Sequence, residues 1–435
     1  MVEIDESPRR HVANRQGMTG GRIYLLLDQA VFSGANFILT VVLARTYSAA
    51  EFGSYGIGLS VAFIVQFVQR NVYIVSFSLM SRRVASRLSP GIVAEHLIVA
   101  GGAILLALLA TGVVAATRTG QAGLDIAVST LVCTVIYFQV DFDRAVQVKR
   151  GSYRGALALS LVYLAIVVGM AILAKQVHVG FPVFMTLLGL VCTLKFLWLG
   201  VLRVRPHWAW GLRLLARDWR RYGTVAVVQS ASYAGGQHLP LMILAALSGS
   251  AQVGGLIAMR SLIQPLMLVI RSFDAGDKNR FRLVSSGRTA GARKVFWYTM
   301  LVYGGIGLSA VTVLAIFPNQ IIAIVYHGKY TGLGGIMIAW AIYAGLLGLT
   351  FPIQSLTYLL HRQKQLTGWI IASGSIGILL AAILCGRYGM WGAMSATVIS
   401  MAINVFGGLL ITRDIVFGRG DAPLPKELSL GGTAR

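Results

Sequence analysis

Acidic residues are scarce in this chain. Asp and Glu together number 15 in 435 residues, against 38 Lys and Arg, and charged residues of all kinds make up 12%. A soluble domain carries roughly 25% charged residues. With 56% hydrophobic residues and a mean hydropathy of +0.72, too few charges are present to solvate the surface of a soluble fold. Cysteine is nearly absent as well. Cys133, Cys192 and Cys385 each fall inside an apolar run, which excludes a disulfide framework and metal-ligand spacing. No Gly-x-x-x-x-Gly-Lys-Ser/Thr phosphate loop occurs, so ATP hydrolysis by that route is excluded. No His/Cys/carboxylate cluster and no Ser with an identifiable base suggests catalysis, so no enzyme activity, cofactor or metal is expected. The first 22 residues lack the apolar core and cleavage site of a signal peptide, and the N-terminus is expected to be retained.

What the chain does have is long apolar runs. A hydrocarbon core about 30 Å thick needs roughly 20 apolar residues per helix. Twelve such runs are found, at 23–45, 54–77, 92–116, 123–142, 153–174, 181–202, 223–247, 253–273, 295–318, 333–358, 366–386 and 390–413. The loops between them are too short for a folded soluble domain. Two polar connectors are longer: Arg203–Arg221, with Trp208, Trp210 and Trp219 among arginines, and Phe273–Lys294. The first reads as an amphipathic segment at headgroup level, where Trp and Arg are both favoured.

The basic residues sort by side. Across twelve spans, one side carries only Arg45, Arg118, Lys175, Lys329 and Arg387, while the termini and the remaining loops hold 29 Lys and Arg. This bias predicts a multi-pass membrane protein with both termini cytoplasmic. It also accounts for the net charge of +23 through anionic lipid headgroups, without nucleic acid.

Sliding the chain against itself by 201 positions pairs Ala30/Ala231, Gly34/Gly235, Leu43/Leu244, Ala44/Ala245, Ala50/Ala251, Gly53/Gly254, Ser60/Ser261, Val68/Val269 and Arg70/Arg271. Each half then holds six spans in the same orientation. The fold class expected is an all-α integral membrane protein, with twelve transmembrane helices in two six-helix bundles. A pseudo-two-fold axis along the membrane normal would relate the bundles, with a cavity between them. The expected divisions are a cytoplasmic segment 1–22, a bundle 23–202, an amphipathic linker 203–222, a second bundle 223–415 and a cytoplasmic tail 416–435.

Asp28–Phe37, then Leu43-Ala44-Arg45 and Ala50-Glu51-Phe52-Gly53, resemble the opening of bacterial polysaccharide transporters. Phe317-Pro318 with Tyr326-His327-Gly328-Lys329-Tyr330 is similar to that family's segment between spans nine and ten, and Tyr388–Ala396 to the start of its last span. These transporters are the Wzx-like O-antigen and exopolysaccharide flippases of the multidrug/oligosaccharidyl-lipid/polysaccharide exporter superfamily. The chain departs from the family in being short and in lacking a Lys-rich lead into span one. The resemblance implies movement of an undecaprenyl-diphosphate-linked oligosaccharide from cytoplasmic to periplasmic leaflet, for exopolysaccharide, capsule or O-antigen synthesis, without ATP. Membrane lipids are further expected partners. A polysaccharide polymerase and glycosyltransferases are candidate partners, and a monomer is expected.

Ionisable groups within spans are costly and face a cavity or a partner. Lys195 lies in the middle of span six, Arg70 and Arg271 lie toward the cytoplasmic ends of spans two and eight, and Arg260 is about two turns into span eight. A cationic interior suits a diphosphate, which guanidinium grips bidentately. Gln66, Gln237 and Gln354 add donors and acceptors for sugar hydroxyls, as do Gln69, Asn71, Gln229, His238 and Gln264. Asp28 is taken as the in-span carboxylate, either a coupling group for a proton or sodium gradient or a counter-ion to Arg70. Asp141-Phe142-Asp143 has glycosyltransferase-like spacing but ends an apolar helix, and pairing with Arg144 is the expectation. Two alternatives stand beside the flippase. A small-molecule antiporter of the same superfamily would want cavity acids for cationic drugs. A polysaccharide polymerase or ligase would want a long outward loop, and none is long. Reporter fusions at Thr119 and Gly332 should read periplasm, and fusions at Ser89, Arg213 and Ser286 cytoplasm; one reversal would break the twelve-span reading.

Overall fold

The computed structural model describes residues 8–70, 74, 77, 80, 82–116, 121–199, 204–220, 224–284, 289–360 and 362–418; side chains at 8–22, 195–199 and 271–290, among others, fall outside that description. The described residues are helical almost throughout. In chain order the helices are α1 (Pro8–Thr46), α2 (Ala49–Gln69), α3 (Arg82–Arg87), α4 (Ser89–Ala116), α5 (Gln121–Arg150), α6 (Tyr153–Val177), α7 (Phe181–Leu199) and α8 (Trp208–Asp218). They continue with α9 (Thr224–Ser248), α10 (Ser250–Val284), α11 (Thr289–Ile316), α12 (Pro318–Tyr326), α13 (Gly334–Leu359), α14 (Gln363–Tyr388) and α15 (Met390–Val416). Ten of them are long and apolar enough to cross a membrane. The protein is therefore a multi-pass membrane protein, since a helix is the way to satisfy every backbone group within lipid.

Local sequence sets the helix ends. A capping box opens α2: Ser48 Oγ accepts from the Glu51 amide at 3.2 Å, and Glu51 Oε2 accepts from the Ser48 amide at 2.8 Å, so two orphan donors are satisfied reciprocally. Gly249 alone separates α9 from α10, and its φ of +92° is one that a side chain resists. Pro318 occupies the first turn of α12, where its missing N–H costs nothing. Pro240, Pro265 and Pro352 sit inside α9, α10 and α13, as the sequence places them within spans.

The packing follows the repeat. Helix α1 packs on α6 as α9 packs on α14; α2 packs on α5 as α10 packs on α13; α4 packs on α5 as α11 packs on α13; and α5 packs on α7 as α13 packs on α15. Between the halves, α2 lies on α10, while α1 on α10 mirrors α9 on α2. The most buried apolar helices are α2, α5, α10 and α13, two repeat-related pairs, whereas α11 is mostly exposed. Its exposed leucines, Leu301 and Leu308, suit contact with lipid tails.

At the crossing of α2 and α10 the backbones touch. A Cβ on Gly53 would overlap the Ser250 carbonyl, and one on Gly254 would overlap the Ala49 carbonyl. Both glycines and both carbonyls are separated by the 201-residue repeat offset, so the contact is the same on either side, as in a two-fold interface.

Two sequence expectations need adjustment. Residues 273–284, read as part of a connector, continue helix α10; internal hydrogen bonds carry a helix beyond its apolar stretch. The span expected at 54–77 begins earlier, at Ala49, and the helix closes at Gln69. The amphipathic expectation for the linker corresponds to α8, which buries Gly211, Leu214 and Asp218 against α4. Its Trp208 and Trp210, and Trp219 at its end, remain exposed.

Valine at either Gly53 or Gly254 should lower stability by about 1–3 kcal/mol, the cost of overpacking, and to a similar extent at both. The check is thermal unfolding of the detergent-solubilised protein, with the uncrowded Gly101 as the control position.

Candidate functional site

Beyond the α2–α10 crossing the halves separate and enclose a cavity of ≈ 230 Å³. The N-terminal half contributes Gln29, Phe32, Ser33, Asn36 and Thr40 from α1, Leu59, Phe63, Gln66, Phe67 and Arg70 from α2 and its cap, and Tyr137 from α5. The C-terminal half contributes Gln237 and His238 from α9, Arg260, Ile263, Gln264, Met267 and Leu268 from α10, and Trp340, Tyr343 and Ala344 from α13. Among the described residues, two arginines line this cavity and no Asp or Glu does.

Arg260 places its guanidinium 5.3 Å from the centre of the Trp340 ring, which suits cation–π attraction. Trp340 is fixed by its own Nε1 donating to the Leu256 carbonyl at 3.1 Å. Arg70 is held differently. Its Nε and one terminal nitrogen donate to Asp141 Oδ2 and Oδ1 at 2.5 and 2.9 Å, a bidentate pair. Gln66 Nε2 donates to the same Oδ2 at 2.7 Å. Asp141 is buried while the Arg70 side chain stays 48% exposed, so the carboxylate aims the guanidinium and leaves part of it open to solvent.

The remaining lining is neutral, part polar and part apolar. Asn36 Oδ1 accepts from the Tyr137 and Tyr163 hydroxyls at 2.9 and 3.0 Å, which fixes its amide. His238 is 2% exposed and its ring lies 5.4 Å from that of Phe63, across the two halves. His238 Nδ1 and Gln237 Nε2 are buried with no hydrogen-bond partner among the described residues. A buried polar atom left unpaired costs about 1–3 kcal/mol, which a ligand or water in the cavity would recover.

Of the residues chosen from sequence, Arg70, Arg260, Gln66 and Gln237 come together here, joined by His238 and Gln264. Gln354 is half-buried on α13 and is not in the lining; its helix turns that position elsewhere. Lys195 falls on α7 and Arg271 on α10, and both side chains lie outside the described residues.

The ion pairing departs from expectation. Asp28 does not serve Arg70. Its Oδ2 accepts from Arg144 at 2.5 and 2.9 Å, and its Oδ1 accepts from Ser160 at 2.5 Å, so α1 is tied to α5 and α6. Asp141, expected to pair with Arg144, pairs with Arg70 instead. The two carboxylates exchange partners because Asp141 and Arg144, though neighbours along α5, face different helices. Nor is Asp28 alone: Glu95, Asp125 and Asp141 also lie within apolar helices. Glu95 is buried on α4, the helix that α8 covers; an apolar window of roughly 20 residues absorbs one carboxylate without losing its hydropathy. Trp340 and Asn36 were missed because their roles lie in contacts with other helices, Trp340 with Arg260 and Asn36 with Tyr137 and Tyr163.

No family model matches the sequence, and no curated protein matches it. Solved structures do match the fold. A lipid II flippase, MurJ, in an inward closed conformation aligns with TM-score 0.61 at 11% identity, over 91% of this chain and 90% of that one. An inward-facing multidrug resistance MATE family transporter of the MOP superfamily aligns with TM-score 0.60 at 14% identity, over 92% of this chain and 99% of that one. A MATE point mutant gives 0.52 at 14% identity, over 91% of this chain and 95% of that one. The chain thus shares its fold with a lipid II flippase and with MATE transporters.

Replacing Asp28 by Asn strands Arg144, and roughly 3 kcal/mol of stability should be lost. The double change Asp28→Asn/Arg144→Gln should be less damaging than the sum of the singles, because the two share one interaction. Unfolding midpoints of the four proteins measure this; strict additivity would remove the pair from the structural account.

Proposed function

We propose that the protein is a flippase for lipid-linked oligosaccharides, a Wzx-like transporter that moves undecaprenyl-diphosphate-linked repeat units outward across the bacterial inner membrane for surface polysaccharide synthesis. One observation carries this reading: a cavity lined by both halves holds two arginines, no carboxylate among its described residues, and buried amide and imidazole nitrogens in want of a partner. Guanidinium groups suit diphosphate oxygens, and glutamine, asparagine and tyrosine suit sugar hydroxyls. A carrier of cationic drugs would place acids in that space. Asp141, the carboxylate that reaches the cavity wall, is already engaged by Arg70 and Gln66.

On this reading twelve helices span the membrane. Helices α7 and α9 join the ten apolar ones, and residues 23–202 and 223–415 form two bundles about an axis along the membrane normal. Segments 1–22 and 416–435 and the linker 203–222, with its exposed tryptophans, lie on the cytoplasmic side, where basic residues concentrate. The polyprenyl tail would stay in the bilayer while the two bundles rock against each other. Lys195 and Arg271 are proposed to extend the cationic path, Gln354 a distal glycan contact, and Asp28 either a coupling group or a fixed counter-ion. A polymerase and glycosyltransferases would act on either side of the transport step.

The test is flipping of an undecaprenyl-diphosphate oligosaccharide in proteoliposomes. Arg260→Ala should lower the rate by about tenfold or more, the value of a charge-assisted contact, and Arg260→Lys should recover only part of it. Uptake of a lipophilic cationic dye that Arg260→Ala leaves unaffected, with no flipping by the wild type, would instead favour the small-molecule antiporter.

A further inference from the structure

Beyond the cavity, the two halves exchange cations at the end of the molecule where α1 and α12 terminate. Arg45, in the last turn of α1, reaches across to the other half. Its Nε donates to the Val325 carbonyl at 2.6 Å and its terminal nitrogen to the Ile324 carbonyl at 3.0 Å. Lys329, just past α12, reaches the opposite way, its Nζ donating to the Ala44 carbonyl at 2.7 Å and to the Tyr47 carbonyl. Arg45 therefore occupies the C-terminal carbonyls of α12, and Lys329 occupies the Ala44 carbonyl in the last turn of α1 and that of Tyr47 just beyond it. Those carbonyls have no partner within their own helix, and the negative end of the helix dipole favours a cation there.

The surroundings make the exchange specific. Tyr326 anchors α12 to α10 through its hydroxyl, 2.5 Å from Ser261 Oγ and 2.8 Å from the Ala258 carbonyl. The Tyr330 ring meets that of Phe52 on α2 at 6.4 Å, again across the halves. Phe52 adjoins Gly53, which bears on the other half at the crossing.

We propose that Arg45 and Lys329 form a reciprocal latch that holds the outward side of the transporter shut, and that both cations must leave the opposing carbonyls before the cavity opens outward. The latch rests on the alternating-access reading above, but not on the substrate. It also gives a purpose to two of the five basic residues on the side otherwise poor in positive charge. Either cation alone closes one arm, so opening needs both arms to part in the same event. Lys329 and Arg45 are exposed, so water can take over the carbonyls and the latch remains reversible.

The test is the rate at which an impermeant maleimide modifies a reporter cysteine at Leu59, which lines the cavity, in sealed right-side-out vesicles without substrate. The native Cys133, Cys192 and Cys385 are buried and give the background. Arg45→Ala and Lys329→Ala should each raise the rate about two- to fivefold, the worth of a cation at an exposed helix C-terminus, and the double variant should raise it further. Arg45→Lys and Lys329→Arg should stay near the parent rate. A second reporter at Ser129, buried where α2 meets α5, should not accelerate. An unchanged Leu59 rate in the double variant would overturn the latch, as would equal acceleration at Ser129, which signals general loosening. Acceleration at Leu59 alone, with no flipping of a lipid-linked glycan by the wild-type protein, would keep the latch and remove the substrate reading.

Discussion

Where α2 crosses α10 there is no room for a side chain on Gly53 or Gly254, and the two backbones bear directly on each other. Much else follows from this contact. Because the glycines stand one repeat apart, the crossing is symmetric, and neither half can shift against the other without the same strain on both sides. Space opens past that point, and the residues the two helices carry there, Phe63, Gln66 and Arg70 on one side and Arg260 and Gln264 on the other, become the walls of a cavity. Packing of small residues is how helices approach closely in lipid, where the hydrophobic effect supplies no pressure between them. The crossing is a tight joint between the halves.

Charge is then distributed around the crossing with economy. The chain has few acids, and three of the described ion pairs use them to place a cation: Asp141 aims Arg70 toward the cavity, Asp28 binds Arg144 between α1, α5 and α6, and Asp414 holds Arg362 at 2.7 Å. The cavity is left with guanidinium and neutral polar groups. In a low-dielectric interior such a set favours an anion and repels a cation, which links the composition of the whole chain to the chemistry of one site.

Much of this was legible in the sequence, for identifiable reasons. Hydropathy runs marked the helices because a lipid-facing helix is apolar along its whole length. The Gly53/Gly254 identity stood among the repeat matches, but that it marks a crossing needed the structure, since small residues recur throughout these helices. Arg70 and Arg260 stood out because a charge in an apolar run is rare. Their partners did not stand out. Which carboxylate meets Arg70 is decided by how α2 lies on α5, a tertiary fact that the spacing along one helix does not contain. One of the two readings of Asp28 therefore gave it to Arg70, and the spacing gave Arg144 to the Asp141–Asp143 stretch. Trp340, which carries the Arg260 guanidinium, is one of eight tryptophans and looks like any other until α13 is set beside α10. The polar stretch 273–284 read as a loop because hydropathy measures the solvent, not the backbone, and a helix leaves the membrane without unwinding.

The claim on which this account turns is that the cavity receives an anionic lipid-linked glycan. Native mass spectrometry of the full-length protein, released from detergent after incubation with an undecaprenyl-diphosphate oligosaccharide or with a lipophilic dication of similar mass, reads occupancy without a transport cycle. The account predicts a one-to-one adduct with the diphosphate that weakens in Arg260→Ala and is not displaced by the dication. Retention of the dication in preference to the diphosphate would contradict it.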